Sequence, residues 1–351
     1  MNRSPDIHQV LERLTCPALI VEAGIITYAN TLAQQHMILQ DTPIESLISI
    51  GAEEYAQFCG GSLCLTLSVL GTRYDTTVVR NETCDIFYLE FEAASPELKA
   101  FALASQHLRE PLSGALHCAG LLQDSISTGE DQKLEQLNRN LHQIHRALCN
   151  MSDIGDFESA RSIMTHYSDA TAIFSEILEK ASHMVKQAGR DLVYTIPQES
   201  IGTMLDREKI ERAVYNLISN AVKYSPKDTT IRANLHRNGK ILYFSIENAT
   251  SQSISNNIFS KFQRAPGLEQ LHTGLGLGLA VARKAAAAHH GTLLMDQTPE
   301  GLQRFTISIA LRRPQSAEVH SPVLLPIDYA GGYDHALLEL SDILPPELYK
   351  A

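Results

Sequence analysis

The stretch "NLISNAVKYSP", Asn216 to Pro226, carries the pattern that decides the fold. It closes a predicted helix on which Asn216, Asn220 and Lys223 share one face, because they are spaced four and three residues apart. Asparagine is a poor helix former and needs another reason to stand in the middle of a helix. Amide oxygens and a lysine can together hold a hydrated Mg²⁺ and its phosphates. The alternative is a polar face that only meets solvent.

A second motif, "TGLGLGLAVARKAAAAHHG", runs from Thr273 to Gly291. Its glycines open a predicted helix, where bare backbone N–H groups and the helix dipole can hold polyphosphate. A flexible hinge before a helix is the alternative. A dinucleotide-binding fold is disfavoured, because there the glycines directly follow a strand and here they follow the polar stretch "QRAPGLEQLHT".

The region around these motifs, residues 161–313, predicts a sheet with helices on one face. Two predicted strands flank Asn238-Gly239, a pair typical of hairpin turns. Residues 1–94 instead contain short segments with strand patterns and helical pieces between them, which favours an α+β domain with an antiparallel sheet. Within that domain, "GIITYANTLA", Gly24 to Ala33, resembles the strand-to-helix turn of PAS sensor domains. A plain dimerisation or spacer module is the alternative.

Residues 95–160 predict a hairpin of two helices. Apolar and small residues recur at alternating spacings of three and four along each helix: Leu98, Phe101, Ser105, Leu108, Leu112, Ala115, Ala119 and Leu122, then Leu134, Leu137, Leu141, Ile144, Leu148, Met151 and Ile154. These are coiled-coil seams. One hairpin leaves a seam uncovered, whereas two hairpins pack as a four-helix bundle. The sequence therefore predicts a homodimer.

Taken together, the motifs resemble those of sensor histidine kinases. "NLISNAVKYSP" is similar to the N box of that family, "IFSKFQR" to its F box and the glycine-rich segment to its G2 box, in the same order. The resemblance implies a GHKL (Bergerat) ATP-binding domain, an α/β sandwich, and ATP and Mg²⁺ as ligands. It implies that Asn220 binds Mg²⁺ beside Asn216. The other implied nucleotide-binding residues are Lys223 on phosphate, Tyr224 near adenine, Arg264 of the F box, and Gly274, Gly276 and Gly278 around the triphosphate.

The chain departs from the family at two places. Asn248 stands where the family's G1 box has an aspartate that accepts a hydrogen bond from the adenine amine. An asparagine oxygen can still accept that bond, but it lacks the charge of a carboxylate. We therefore expect adenine binding to be weakened and not abolished. At the phosphoacceptor motif, "QHLREPL" places Gln106 at the histidine position and His107 one residue later. His107 is turned by about 100° around the helix, so three readings stay open: acceptance by His107, by His117, or by no residue.

The implied function is a sensor histidine kinase of a two-component system, with a response-regulator receiver domain as partner. The alternative is an ATP-binding pseudokinase or scaffold. Serine kinases of the anti-sigma type are disfavoured because they lack the hairpin. A net charge of −11 disfavours nucleic-acid binding. No segment has the length and apolar character of a membrane span, so we expect a cytoplasmic protein. The remaining residues, 314–351, read as an acidic, proline-containing tail without chemistry.

Overall fold

The computed structural model of the chain describes residues 7–81, 83–91, 104, 108, 112–121, 131–156, 163–250, 277–314, 329–330 and 332–350. Five of the predicted site residues lie outside these described residues: Gln106, His107, Arg264, Gly274 and Gly276. Among the helices of the described residues, none is long and apolar enough to cross a membrane.

The N-terminal unit is an α+β domain around an antiparallel sheet with strand order β2-β1-β6-β5-β4. Its elements are α1 (Ile7–Glu12), β1 (Ala18–Glu22), β2 (Ile25–Ala29), α2 (Thr31–Gln35), β3 (Ile48–Ile50), α3 (Ala52–Gln57), β4 (Ser62–Val69), β5 (Thr72–Arg80) and β6 (Asp85–Phe91). Asn30 makes the predicted turn from β2 into α2. Its buried side-chain oxygen accepts hydrogen bonds from the backbone N–H of Ala33, which caps α2, and of Ala18. The α+β elements, the antiparallel sheet and the turn into α2 are therefore as the sequence predicted.

Two helices follow, α4 (residues 112–121) and α5 (Asp131–Asp156). Leu112 and Leu116 of α4 pack with Leu148 of α5. Leu112 and Leu148 are positions of the predicted seams, whereas Leu116 is buried in place of the predicted Ala115, which is exposed. Leu137 and Ile144, also seam positions, are instead 45% and 51% exposed in the single chain. Helices α4 and α5 thus bury apolar side chains between them, and α5 leaves others exposed on another face.

The third unit is an α/β domain whose helices and sheet share one hydrophobic core. Its sheet has the order β12-β13-β11-β10-β8, and β7 pairs with β9 separately. The elements are β7 (His166–Asp169), α6 (Ala170–Gln187), β8 (Asp191–Thr195), β9 (Gly202–Leu205), α7 (Arg207–Tyr224), β10 (Thr230–Asn238), β11 (Ile241–Asn248), α8 (Gly278–Ala288), β12 (Leu293–Gln297) and β13 (Gln303–Ala310). Gly239, with φ of +57°, makes the predicted hairpin turn between β10 and β11.

The sheets of the first and third units are joined into one. Strand β4 pairs antiparallel with β12, with Leu63 opposite Leu294 and Cys64 opposite Leu293. Gly61 precedes this ladder with φ of +87°, and a Cβ on it would lie 2.1 Å from the carbonyl oxygen of Met295. Only a glycine lets the two strands come this close. Sequence patterns did not predict this joint, because each unit reads as a complete domain.

The C-terminal segment folds back onto the third unit. It contains α9 (His335–Glu339) and a 3-10 turn (Pro346–Leu348). Asp334 caps α9 by accepting hydrogen bonds from the N–H groups of Ala336 and Leu337. Leu340 and Leu344 are fully buried and belong to the same core as α6 and α7. The sequence indicated only an acidic, proline-containing tail for residues 314–351, and the structure adds that residues 332–350 complete the core of the α/β unit.

Candidate nucleotide site

Helix α7 forms because its ends and its apolar face are well defined. At its start, the Asp206 side chain accepts a hydrogen bond from the N–H of Lys209 at 3.1 Å. Val214 and Leu217 are among the residues that bury one side of the helix in the core. The helix runs to Tyr224, so Asn216, Asn220 and Lys223 stand on one continuous helical face as predicted. This places the polar residues of the first motif on a rigid element.

The first residue of α8, Gly278, meets Asn216 of α7. A Cβ on Gly278 would lie 2.8 Å from Oδ1 of Asn216, so the helices approach this closely because the glycine has no side chain. Asn216 is 1% exposed and donates through Nδ2 to the carbonyl of Arg212 at 2.9 Å. The free N–H groups at the start of a helix attract anions. The structure therefore brings the asparagine motif and the end of the glycine motif together.

Lys223 has an unexpected partner. Its Nζ lies 2.5 Å from Oδ2 of Asp342, which follows α9 in the C-terminal segment. Arg146 of α5 reaches the same oxygen through Nη1 at 2.6 Å. The Nη2 of Arg146 donates to Oδ1 of Asn216 at 3.0 Å. One carboxylate oxygen is thus held by two cations, and the residues predicted to hold phosphate are already engaged by other parts of the chain.

A second group of buried charges adjoins the first. The guanidinium of Arg212, fully buried, pairs with Oε1 of Glu339 at 2.9 Å and also with Asp153 of α5. Its Nη2 donates to Oδ1 of Asn150 at 2.9 Å. The other oxygen of Glu339 lies 3.3 Å from Nε of Arg146. Helices α5, α7 and α9 are therefore linked by charges that are satisfied only while all three stay together.

The titration behaviour follows from this packing. Burial raises the pKa of Asp342, but the cations of Arg146 and Lys223 outweigh it, and the net pKa is lowered. Burial lowers the pKa of Lys223, and Arg146 lowers it further against the opposing effect of Asp342. Burial also lowers the pKa of Arg212, yet Asp153 and Glu339 raise it well above its ordinary value. The carboxylate and the guanidinium are therefore charged at neutral pH.

The other predicted residues occupy neighbouring positions. Asn220 and Tyr224 are partly buried on α7. Asn248 is the last residue of β11, is 1% exposed, and donates through Nδ2 to the carbonyl of Ala249 at 3.0 Å. The structure brings Asn216 and Gly278 into direct contact with each other and Lys223 into the same charged cluster.

Comparison with known proteins identifies the domain that contains α7 and α8. Residues 205–313 match the family described as histidine kinase-, DNA gyrase B-, and HSP90-like ATPase. The sensor histidine kinase TmoS of Ectopseudomonas mendocina is 26% identical over 228 residues, which cover 62% of this chain and 23% of that protein. The adaptive-response sensory kinase SasA of Rippkaea orientalis is 27% identical over 212 residues, covering 57% of this chain and 54% of that protein.

Residues 205–313 therefore carry a histidine kinase-like ATPase domain, and the chain is similar to sensor histidine kinases. A crystal structure of full-length ShkA in complex with AMPPNP is similar in fold, with a TM-score of 0.50 and 19% identity over 63% of this chain and 47% of that one. The chain spans only 23%, 18% and 22% of the length of three of the curated relatives it matches. The comparisons thus show the ATPase domain and a similarity to sensor histidine kinases, and the activity of a whole kinase does not follow from them.

An ATPase domain of this family implies ATP, usually with Mg²⁺, and the residues present fit that ligand. Lys223 and Arg146 already surround one anionic oxygen, that of Asp342, as they would surround a phosphate oxygen. Gly278 lets the side chain of Asn216 lie directly against the backbone at the start of α8, where helix N–H groups attract anions. When bound, ATP supplies a transferable phosphoryl group.

Sequence reasoning missed Arg146, Arg212, Glu339 and Asp342 in this site. The signal was faint: in "DHALLELSDIL", apolar residues recur at helical spacing within the segment set aside as a tail. Likewise, α5 carries Asn138, His142, Arg146 and Asn150 at spacings of four, and all of them are buried. From the sequence alone, a polar stripe of this kind is interpreted as a solvent-exposed helix face, because the residues that pack against it lie far along the chain.

Proposed function

We propose that this chain binds Mg-ATP between α7 and the start of α8 and acts as the sensor kinase of a two-component system. The observation that carries the proposal is the contact between Asn216 and Gly278, which unites two motifs far apart in the sequence. The match of residues 205–313 to an ATPase family supports it. Within the bound state, Asn220 would ligate Mg²⁺ and Lys223 would contact phosphate.

The remaining nucleotide contacts are carried over from the family pattern. Tyr224 would lie near adenine, and the Asn248 oxygen would accept a hydrogen bond from the adenine amine. Outside the described residues, Arg264, Gly274 and Gly276 would complete the enclosure of the triphosphate. Glycines are costly in ordinary structure and useful where backbone must approach a ligand, which supports a retained nucleotide site.

The other units would serve input and dimerisation. We propose residues 1–94 as a PAS-like sensor domain and residues 95–160 as the hairpin of a dimeric four-helix bundle, ahead of the ATPase unit at 161–313. The exposure of Leu137 and Ile144 supports a homodimer, since a second hairpin would cover them. In the full reaction, an imidazole nitrogen, with His107 as the candidate, takes the terminal phosphoryl group as ADP leaves. A receiver-domain aspartate then accepts it.

Calorimetric titration with Mg-ATP up to millimolar concentrations tests the nucleotide site. Asn220→Ala should lower the affinity about tenfold or more, because a polar contact to a charged ligand is lost. Asn234→Ala, the same change at an exposed position of β10, is the matched control and should leave the affinity unchanged. Equal affinities in wild type and Asn220→Ala would reject the assignment of Asn220.

The second candidate function is a pseudokinase that uses ATP only as a conformational ligand. Gln106 at the phosphoacceptor position favours it, because an amide cannot accept a phosphoryl group as imidazole does. Radiolabelled ATP decides between the two: acid-labile label on wild type that His107→Ala removes supports the kinase. Label that appears only in the Gln106→His, His107→Glu double variant supports the pseudokinase.

A further inference from the structure

The face of α7 predicted to hold phosphate is covered by the C-terminal segment. Asp342 supplies the anion that Lys223 and Arg146 surround, and Glu339 pairs with Arg212 one turn before Asn216. Side-chain exposure is 15% for Lys223 and 13% for Asp342, so water is largely excluded from the pair. A phosphate oxygen and the Asp342 carboxylate would thus compete for the same two cations.

The segment is held by both apolar and polar contacts. Leu338, Leu340 and Leu344 are fully buried. From α5, Arg139 donates to the carbonyls of Ser341 at 3.2 Å and Asp342 at 3.3 Å. These contacts leave Asn216 and Lys223 untouched, so the hold on the segment can be altered without changing the residues that meet phosphate.

We propose that residues 332–350 are an intramolecular competitor of the nucleotide, in which the Asp342 carboxylate takes the place of a phosphate group on Lys223 and Arg146. The inference rests on the proposed nucleotide site. Mg-ATP binds the chain after the segment has left α7, and the affinity observed is the intrinsic affinity multiplied by the released fraction.

The chemistry of the exchange favours an anionic displacer. Removing Asp342 alone would take from Lys223 its ion-pair partner and leave Arg146 with Glu339 alone, which is unfavourable for buried cations. A polyphosphate that binds as the segment leaves replaces the negative charge of the Asp342 carboxylate. Adenosine, which has the same base and sugar but no phosphate, supplies no such charge, and it should not release the segment.

Variants in the full-length chain test the proposal by calorimetric titration with Mg-ATP. Asp342→Asn removes the competing charge and keeps the shape of the side chain, so Mg-ATP should bind roughly tenfold more tightly than to wild type. Arg139→Ala loosens the segment from α5 and should act in the same direction. Glu347→Gln makes the same charge change at an exposed position of the segment and should leave the affinity unchanged.

Hydrogen exchange supplies the second measurement, which does not depend on how well a variant folds. Saturating Mg-ATP should lower the amide protection of Leu338 and Leu340 in wild type, whereas adenosine should not. Binding that is equal in all variants and leaves this protection unchanged overturns the competitor and leaves the nucleotide site standing. Absence of Mg-ATP binding in wild type, Asp342→Asn and Arg139→Ala alike overturns the proposed function, and the competitor with it.

Discussion

The Nζ of Lys223 and the Oδ2 of Asp342, 119 residues apart in sequence, form a 2.5 Å ion pair at the face of α7. The lysine comes from the motif that identifies the ATPase domain, and the aspartate comes from a segment with no recognisable motif. Arg146 of the hairpin shares the same carboxylate oxygen. Three parts of the chain therefore meet at one atom, and a change in any of them alters the environment of the candidate nucleotide site.

Restoring the family residue at Asn248 should tighten ATP binding. Asn248→Asp supplies a charged acceptor for the adenine amine, worth about 1–2 kcal/mol, or roughly five- to thirtyfold in affinity. Because Asn248 is buried, the carboxylate should also lower the free energy of unfolding without nucleotide. Titration with ATP and with GTP measures the gain, which should be confined to ATP since GTP lacks that amine. A gain shared by both nucleotides would show that the residue does not meet adenine.

Dimerisation should depend on the exposed apolar face of α5. Leu137→Lys should weaken the dimer at least about tenfold, because burying a leucine contributes about 1.5–3 kcal/mol. Val193→Lys is the matched control: Val193 is 58% exposed on β8, away from the hairpin. Sedimentation equilibrium measures both. A wild-type chain that stays monomeric at tens of micromolar would contradict the four-helix bundle.

Acid should release the C-terminal segment through His142. This imidazole lies in edge contact with the rings of Tyr333 and Tyr349, at centroid distances of 5.4 and 4.9 Å. Burial lowers the pKa of His142 below the ordinary 6.5. The neutral imidazole therefore stabilises the docked segment fully above pH 6.5, and this stabilisation is lost as the pH falls through the lowered pKa. Asp342, with its pKa below 3.8, stays ionised over this range.

Hydrogen exchange of residues 332–350 between pH 7.5 and 5.5, corrected for intrinsic rates and compared with α6, measures this release. His142→Phe keeps an aromatic ring and should remove most of the pH dependence. His335, whose Nδ1 lies 3.0 Å from Oε2 of Glu211, is a second imidazole of the segment, and the variant separates its effect from that of His142. An unchanged pH profile in His142→Phe would exclude His142 as the titrating group.

The joint between the two sheets should depend on Gly61. Gly61→Ala places a methyl group against the carbonyl of Met295, so we expect a loss of stability beyond the cost of about 1–2 kcal/mol for alanine in the left-handed region. Gly71→Ala is the matched control, since Gly71 has φ of +85° and open space around its Cβ position. The difference between the two unfolding free energies isolates the steric clash. Equal losses would mean that β4 and β12 separate freely.

Sequence patterns predicted the helices and turns that are determined by residues close together in the chain. Asp206 and the apolar spacing of α7 specify that helix, Gly239 specifies the turn after β10, and Asn30 specifies the entry to α2. Each depends on residues within a few positions of one another. The asparagine face of α7 followed from the same local reasoning, whereas its approach to α8 was implied only by the family resemblance.

Long-range contacts between units were beyond the sequence patterns. Nothing local distinguishes Arg146 on α5 from a solvated arginine, because its partners Asp342 and Glu339 lie far along the chain. The pairing of Leu63 with Leu294 likewise joins strands that each look complete within their own unit. Buried charges are stable only with a partner, and a single sequence does not reveal the partner.

Strands β4 and β12 protect each other's edges. An unpaired strand edge offers N–H and C=O groups that can template pairing with another chain. Dividing the chain between its first and third units would uncover Leu293 to Met295 on one side and Ser62 to Cys64 on the other. Either isolated piece would then carry an apolar edge able to recruit copies of itself, so aggregation is the expected fate of fragments cut at that boundary.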